Sequence, residues 1–292
     1  MSVFFITGVD SHIGKTYATG YLAKHLLENG VNVITQKLIE TGCKGNIAED
    51  IITHRHIMQI PLQYVDHQYV SCPFVFRAAA PPYMAASLEN IPLYPARITV
   101  ATQQLRLQYE MVLLETSGGI MTPLTESLLT IDYIAEQGHP VVLVTSATLE
   151  SINHTLLALQ AIAQRGLTLH AVIYNQYQHS AATVDTDELT PDQVLQNEQL
   201  YKESFDTHRV RNTLLKNTRL YLQQYLKQHH PDTFWVELPY ISFSSQISHY
   251  LKPEVEKKNV ISHPAYSIEK YAQEIADNTL YAESLYKKIA KR

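Results

Sequence analysis

The residues with the clearest chemistry lie near the start of the chain, where Gly8-Val9-Asp10-Ser11-His12-Ile13-Gly14-Lys15-Thr16 stands between a short apolar run and a helix-period segment. In that setting the turn's backbone N–H groups and the helix N-terminus converge on anionic oxygens. Lys15 adds a mobile positive charge, and the Thr16 hydroxyl can ligate Mg2+. The segment reads as a cradle for a nucleotide's phosphates, with a chance Gly-Lys-Thr in an ordinary glycine turn as the competing reading. Five residues separate Gly8 from Gly14, one more than the strict pattern, with valine at position 9.

Two further residues fit the same chemistry. Glu115 ends the apolar run 111–114 and is followed by Thr116-Ser117-Gly118-Gly119. The C-terminal ends of strands line the ligand crevice of an open parallel sheet. A carboxylate there can serve a magnesium ion, and glycines such as Gly118 leave room for phosphate. Lys37 also ends an apolar run and brings a second cation to the same edge. The plainer alternatives are a turn-capping carboxylate for Glu115 and a surface lysine for Lys37.

The elements that must position these groups are legible in the pattern. Short apolar runs at 3–7, 31–36, 111–114, 141–144, 170–174 and 234–238 alternate with helix-period stretches. Continuous apolar strands are what a parallel sheet covered on both faces requires. The first helix carries Tyr17, Tyr21, Leu22, Leu26 and Leu27 on one stripe and closes at Asn29-Gly30. Another runs over about 151–165. The fold expected is a single α/β domain over 1–292, a doubly wound, mostly parallel sheet. Residues 179–232 read as a polar, partly helical insertion in which Val210, Leu214, Leu215, Tyr221, Leu222, Tyr225 and Leu226 recur at helical spacing. An amphipathic C-terminal helix is expected over 264–292.

Composition excludes several classes. The 292 residues are 45% hydrophobic, enough to bury a full core. A formal charge of -5 offers no broad basic face for nucleic acid. No apolar run approaches the roughly 20 residues a membrane span needs. Cys43 and Cys72 match neither a metal spacing nor a disulfide framework, which suits a reducing, cytoplasmic setting. The 14 histidines, His54/His56 and His229/His230 among them, form no cluster at ligand spacing and read as core or surface residues.

Residues 5–16, Gln36-Lys37 with Thr41-Gly42, residues 115–119 with Thr122-Pro123-Leu124, Ile152-Asn153-His154, and Asn175 resemble, in order and spacing, the dethiobiotin synthetase family of P-loop NTPases. The five-residue glycine gap is a trait of that family. The resemblance covers about 1–178 and resumes around 236–241. It implies a homodimeric ligase that converts 7,8-diaminopelargonic acid, CO2 and MgATP into dethiobiotin, ADP and phosphate. Carried over, Thr16, Asp50 and Glu115 would hold Mg2+, and Lys15 and Lys37 would neutralise the γ-phosphate and a carbamate. Ser11 and Thr41 would bind the nitrogen or carbamate end of the substrate, and Asn153 its carboxylate from the neighbouring subunit. The loop residues His12 to Tyr17, including Ile13 and Gly14, would line the nucleotide, Asn175 would read the adenine edge, and Pro239, Tyr240 and Ile241 would wall it. His12 stands where the family usually has glutamate, and Gln246 falls near where it has an acidic residue.

The chemistry asks for such a set. A carbamate oxygen must approach the terminal phosphorus of a tetra-anionic nucleotide, so two lysines and a metal offset like-charge repulsion. Ring closure then depends mostly on holding the two ends together. Two other readings use the same motif: a paralogue carboxylating another diamine, and a ParA/MinD-like nucleotide switch. Such switches carry an extra lysine early in the loop, whereas positions 9–13 read Val-Asp-Ser-His-Ile.

Overall fold

Among the described residues seven strands form one sheet: β1 (Ser2–Gly8), β2 (Val33–Lys37), β3 (Met111–Glu115), β4 (Val141–Ser146), β5 (Leu169–Asn175), β6 (Phe234–Leu238) and β7 (Tyr266–Ser267). Their order is β2-β3-β1-β4-β5-β6-β7, and every neighbouring pair is parallel. The computed structural model describes residues 1–148, 150–176, 213, 216–239, 266–267, 269–270, 273 and 276. Among them no helix is long and apolar enough to cross a membrane.

The strands are apolar without a break because both faces are covered. Val3, Phe5, Val112, Leu114, Val141 and Leu143 point into one buried cluster, and Phe4, Ile6, Met111, Leu113, Val142 and Val144 into the other. This is the alternation that strand geometry imposes, here with two cores rather than one. The helices α5 (Pro95–Arg106), α6 (Thr130–Gln137) and α7 (Ser151–Gln164) supply the first cluster through residues such as Ile98, Leu105, Ile131, Ile134, Leu159 and Ile162. The helix α1 (Lys15–Glu28) supplies the second through Ala18, Leu22, Ala23 and Leu26. Fully burying a leucine such as Leu22 or Leu26 contributes about 1.5–3 kcal/mol.

The stripe read from sequence on α1 is rotated in the structure. Tyr17 is exposed, Tyr21 and Leu27 are only partly buried, and the inward face is Ala18, Leu22, Ala23 and Leu26. Small residues let α1 approach its neighbours: a Cβ on Gly20 would lie 2.8 Å from Ile57 Cδ1 of α2 (Glu49–Met58), the helix that precedes α3 (Tyr64–His67) and α4 (Pro82–Leu88). Tyrosine, with its polar tip, tolerates the rim better than a packed contact of this kind.

Two expectations from the second half are partly covered. Residues 216–229 are helical, with Leu222 packed beside Ala147 and Tyr174 and Leu226 in the main core; Tyr221 is exposed. Val210, Leu214 and Leu215 lie outside the described residues. The segment expected as a C-terminal helix opens with a strand, because Tyr266 and Ser267 pair with Val236 and Glu237 of β6. Residues 269, 270, 273 and 276 are helical.

The topology fixes where a ligand belongs. β2 and β3 lie on one side of β1, and β4 to β7 on the other, so the direction of winding reverses at β1. Loops at the C-terminal ends of the strands part there and leave a crevice. Residues 9–14 follow β1 directly into it.

Candidate active site

Each element delivers its side chain to this crevice for a local reason. Gly14 has φ +88°, a left-handed conformation that ends the loop and starts α1 at Lys15. A Cβ at Gly14 would lie 2.1 Å from Asn175 Nδ2, so the close approach also requires glycine. Asn175, the last residue of β5, donates from that nitrogen to the Ile13 carbonyl at 2.8 Å and ties the loop to the sheet. Lys15 is buried and donates to the Asp10 carbonyl at 2.7 Å. Burial first, then the neighbouring Lys37 charge, lower its ammonium to about 8.

Around Thr16 the charges converge. Lys37 and Glu115 are register partners at the ends of β2 and β3. Lys37 Nζ donates to Glu115 Oε1 at 2.8 Å and also to Asp50 Oδ2. Thr16 Oγ1 lies 2.9 Å from Asp50 Oδ1 and 3.2 Å from Glu115 Oε1. Asp50 comes from the first turn of α2, where Glu49 and Asp50 suit the positive end of the helix dipole; Arg55 and His56 suit the other end. Burial alone would lower the Lys37 ammonium, but the Glu115 and Asp50 charges outweigh it and hold the group above its ordinary range. Burial likewise would raise Glu115, yet Lys37 and the His54 hydrogen bond hold its carboxyl well below the usual carboxylate range. The resting state therefore holds Lys37 and Glu115 as a buried, charged pair.

Relatives of this chain carry a stated activity. A family model described as an AAA domain matches residues 2–217. The ATP-dependent dethiobiotin synthetase BioD 2 of Haemophilus ducreyi is 42% identical over 231 residues, spanning 79% of this chain and 95% of that protein. The protein of the same name from Pasteurella multocida is 41% identical over 240 residues, spanning 82% and 98%. The chain belongs to the ATP-dependent dethiobiotin synthetase family. A solved ParA family ATPase from Chlorobium tepidum is 14% identical, with a TM-score of 0.38 over 66% of this chain and 78% of that one. A likeness of that size carries no argument about the nucleotide-switch reading.

The residues that the dethiobiotin synthetase resemblance implies fall into groups. Lys15, Thr16, Lys37, Asp50 and Glu115 meet at one place, while Ser11 and His12 line an adjoining cleft of about 420 Å3 together with Ser151 and His154 of α7. Thr41 sits half-buried on the segment leaving β2, next to Gly42, whose N–H bonds the Ala78 carbonyl. Gly118 does not face the loop: a Cβ there would meet Thr122 Oγ1 at 2.6 Å, and it is Gly119 that abuts Val9 and Asp10. Asn153 is exposed on α7 and lines a different groove, with Tyr225 and His229, so within one chain it stands apart from the cluster. Pro239 is exposed just past β6, and Tyr240, Ile241 and Gln246 lie outside the described residues.

Four participants were not singled out from sequence. His54 is fully buried with Nε2 2.9 Å from Glu115 Oε2. Arg55 and Asp66 form a buried ion pair behind it. Glu40 is buried beside the cluster with Oε2 unpartnered; burial and then the Asp50 charge push its carboxyl up to about 8, so at neutral pH it is mostly an uncharged acid. The signal for His54 was its spacing: it stands four residues after Asp50, one turn along the same helix face. The donor set around Thr16, two carboxylates and a hydroxyl, is all oxygen and suits Mg2+ shared with phosphate oxygens. Among the described residues there is no group of three or more His, Cys, Asp or Glu that could hold a metal ion.

Proposed function

We propose that this chain joins CO2 to 7,8-diaminopelargonic acid at the expense of ATP, giving dethiobiotin, ADP and phosphate, with the reacting centre between the 9–14 loop and the Thr16, Lys37, Asp50 and Glu115 cluster. Family membership supports the reaction, and the observation that carries the location is Lys37 bridging two carboxylates beside the phosphate loop. The loop N–H groups and Lys15 hold the triphosphate. Lys15 bonds a neutral carbonyl in the resting site, so it turns to a phosphate oxygen at little cost. Thr16, Asp50 and Glu115 would hold Mg2+, which when bound offsets phosphate charge. One substrate amine captures CO2 as a carbamate. Lys37, with Ser11 of the loop and Thr41 after β2, orients that carbamate so that its oxygen attacks the γ-phosphorus and ADP leaves. The second amine then attacks the carbonyl carbon of the mixed anhydride, the C–O bond breaks, phosphate departs, and the five-membered urea closes.

Asn153, remote from the cluster in its own chain, fits the substrate carboxylate only if supplied from the partner of a homodimer. Light scattering measures that mass directly. A cytoplasmic location suits the two buried, unpaired cysteines. The reaction is tested by phosphate release from MgATP with and without bicarbonate and the diamine, and by the mass of the product. Release that ignores the diamine would favour a nucleotide switch. Turnover with another amine alone would favour a paralogue.

A further inference from the structure

We propose that His54 is a positioning residue for this reaction: oriented by Thr35 and Arg55 so that Nε2 donates to Glu115 Oε2, it pins Glu115 so that Oε1 alone is turned to the metal and nucleotide. The proposal rests on the reading of Glu115 as a metal ligand given above.

The acceptor fixes which ring nitrogen donates. A carboxylate only accepts, so His54 Nε2, 2.9 Å from Glu115 Oε2, gives its hydrogen to that oxygen. The other ring nitrogen, Nδ1, lies 3.1 Å from Thr35 Oγ1, and Arg55 Nη1 donates to the same hydroxyl at 2.6 Å, so both hold the ring in this orientation. Arg55 in turn is held in place by Asp66, through Nε to Oδ2 at 3.0 Å and Nη2 to Oδ1 at 2.8 Å, and the Gln63 N–H fixes Asp66 at 2.7 Å. Glu115, His54 and Thr35 are 0% exposed and Arg55 and Asp66 2%, which leaves no solvent to substitute for a missing link.

The two oxygens of Glu115 therefore have separate tasks. Oε2 belongs to His54, and Oε1 faces Lys37 and Thr16. Helix α2 brings both Asp50 and His54, so one rigid element sets a carboxylate of the cluster and the donor that orients the other. Losing the partner behind a metal ligand commonly weakens metal binding about 10–100-fold.

The experiment uses the full chain and reads Mn2+ bound with ADP by the paramagnetic signal of free Mn2+, alongside metal-free ADP binding by calorimetry and the split of kcat from KM. For His54→Leu the expected result is a fall of about 10–100-fold in Mn2+ affinity, an unchanged metal-free ADP affinity, and a loss in kcat larger than any rise in the KM of the diamine. His54→Gln, which can again place an N–H near Glu115, should recover most of the affinity. Thr35→Ala, which removes the hydroxyl that orients the ring along with the γ-methyl, should show an intermediate loss and keeps the test open if His54→Leu does not fold. Wild-type Mn2+ affinity in folded His54→Leu or in Thr35→Ala overturns the inference, as does an equal loss in metal-free ADP binding. Glu115→Gln separates the two levels: if it leaves Mn2+ binding intact, the metal-ligand reading itself falls, whereas a loss there with none in His54→Leu refutes only the positioning role.

Discussion

Lys37→Met tests the ion cluster most directly. The substitution keeps an unbranched chain in place of one whose side chain is 6% exposed, and removes the ammonium that pairs with Glu115, whose side chain is 0% exposed. Breaking a buried pair by deleting one partner costs about 3–5 kcal/mol, because the surviving charge is left uncompensated. At about 2.1 cal/mol/K per residue, the 292 residues give an unfolding entropy near 0.6 kcal/mol/K. The expected drop in Tm is then about 5–8 °C at neutral pH. It should shrink in mild acid, where Glu115 can escape the cost by taking up a proton. Mg2+ at 100 times its dissociation constant would add about 2.7 kcal/mol, or about 4 °C, to the variant. Wild type should gain less, since there the ion competes with the Lys37 ammonium for the same oxygens. Differential scanning calorimetry with and without Mg2+ provides the readout. A drop below about 2 °C, or equal Mg2+ responses in both proteins, would refute the claim that Lys37 balances these carboxylates.

Two further outcomes follow from the geometry. Gly14→Ala forces a left-handed alanine, about 1–2 kcal/mol of strain, and puts Cβ 2.1 Å from Asn175 Nδ2; ADP affinity measured by calorimetry should fall at least about 10-fold, and an unchanged affinity would show that the loop opens elsewhere. Burial raises the Asp66 carboxyl but its bonds to Arg55 outweigh that and hold it below the ordinary value, so its contribution is fully present above the unfolded pKa of about 4 and is lost as pH falls through the lower folded value. Wild type should therefore lose stability below about pH 4, and Asp66→Asn should be less stable at pH 6 but show a shallower acid slope in urea denaturation from pH 6 to 3.

Much of the site was legible because its chemistry is carried by short spacings at strand ends. Lys15 and Thr16 follow a glycine turn, and Lys37 and Glu115 each close an apolar run, so a parallel sheet delivers all four to one edge. Asp50 came only through the family resemblance, since a lone carboxylate at a helix start has an ordinary explanation. His54, Arg55 and Asp66 were not legible: His-Arg-His in a polar helix reads as a solvated face, and only the docking of α2 against β2 and β3 turns it inward. The α1 stripe failed for the opposite reason. Periodicity finds large apolar residues, but the contact with α2 is made at Gly20, where the absence of a side chain is what packs. The strand β7 has two residues, too short for alternation to register.

The two lysines differ in what holds them, and in the proposed reaction that difference gives them different moments. Lys15 gives its hydrogen to a backbone carbonyl, a neutral acceptor, and with its ammonium lowered to about 8 it gains on meeting a phosphate. Lys37 is bound by two carboxylates, and moving it toward a carbamate exposes both charges in a buried site. It can turn to substrate only as another positive charge takes up Asp50 and Glu115. Glu40 does not ease that release, because a mostly neutral acid at pH 7 brings no charge to exchange. On the proposed reaction, then, nucleotide binding draws on Lys15, whereas carbamate capture waits until Lys37 is released from Asp50 and Glu115.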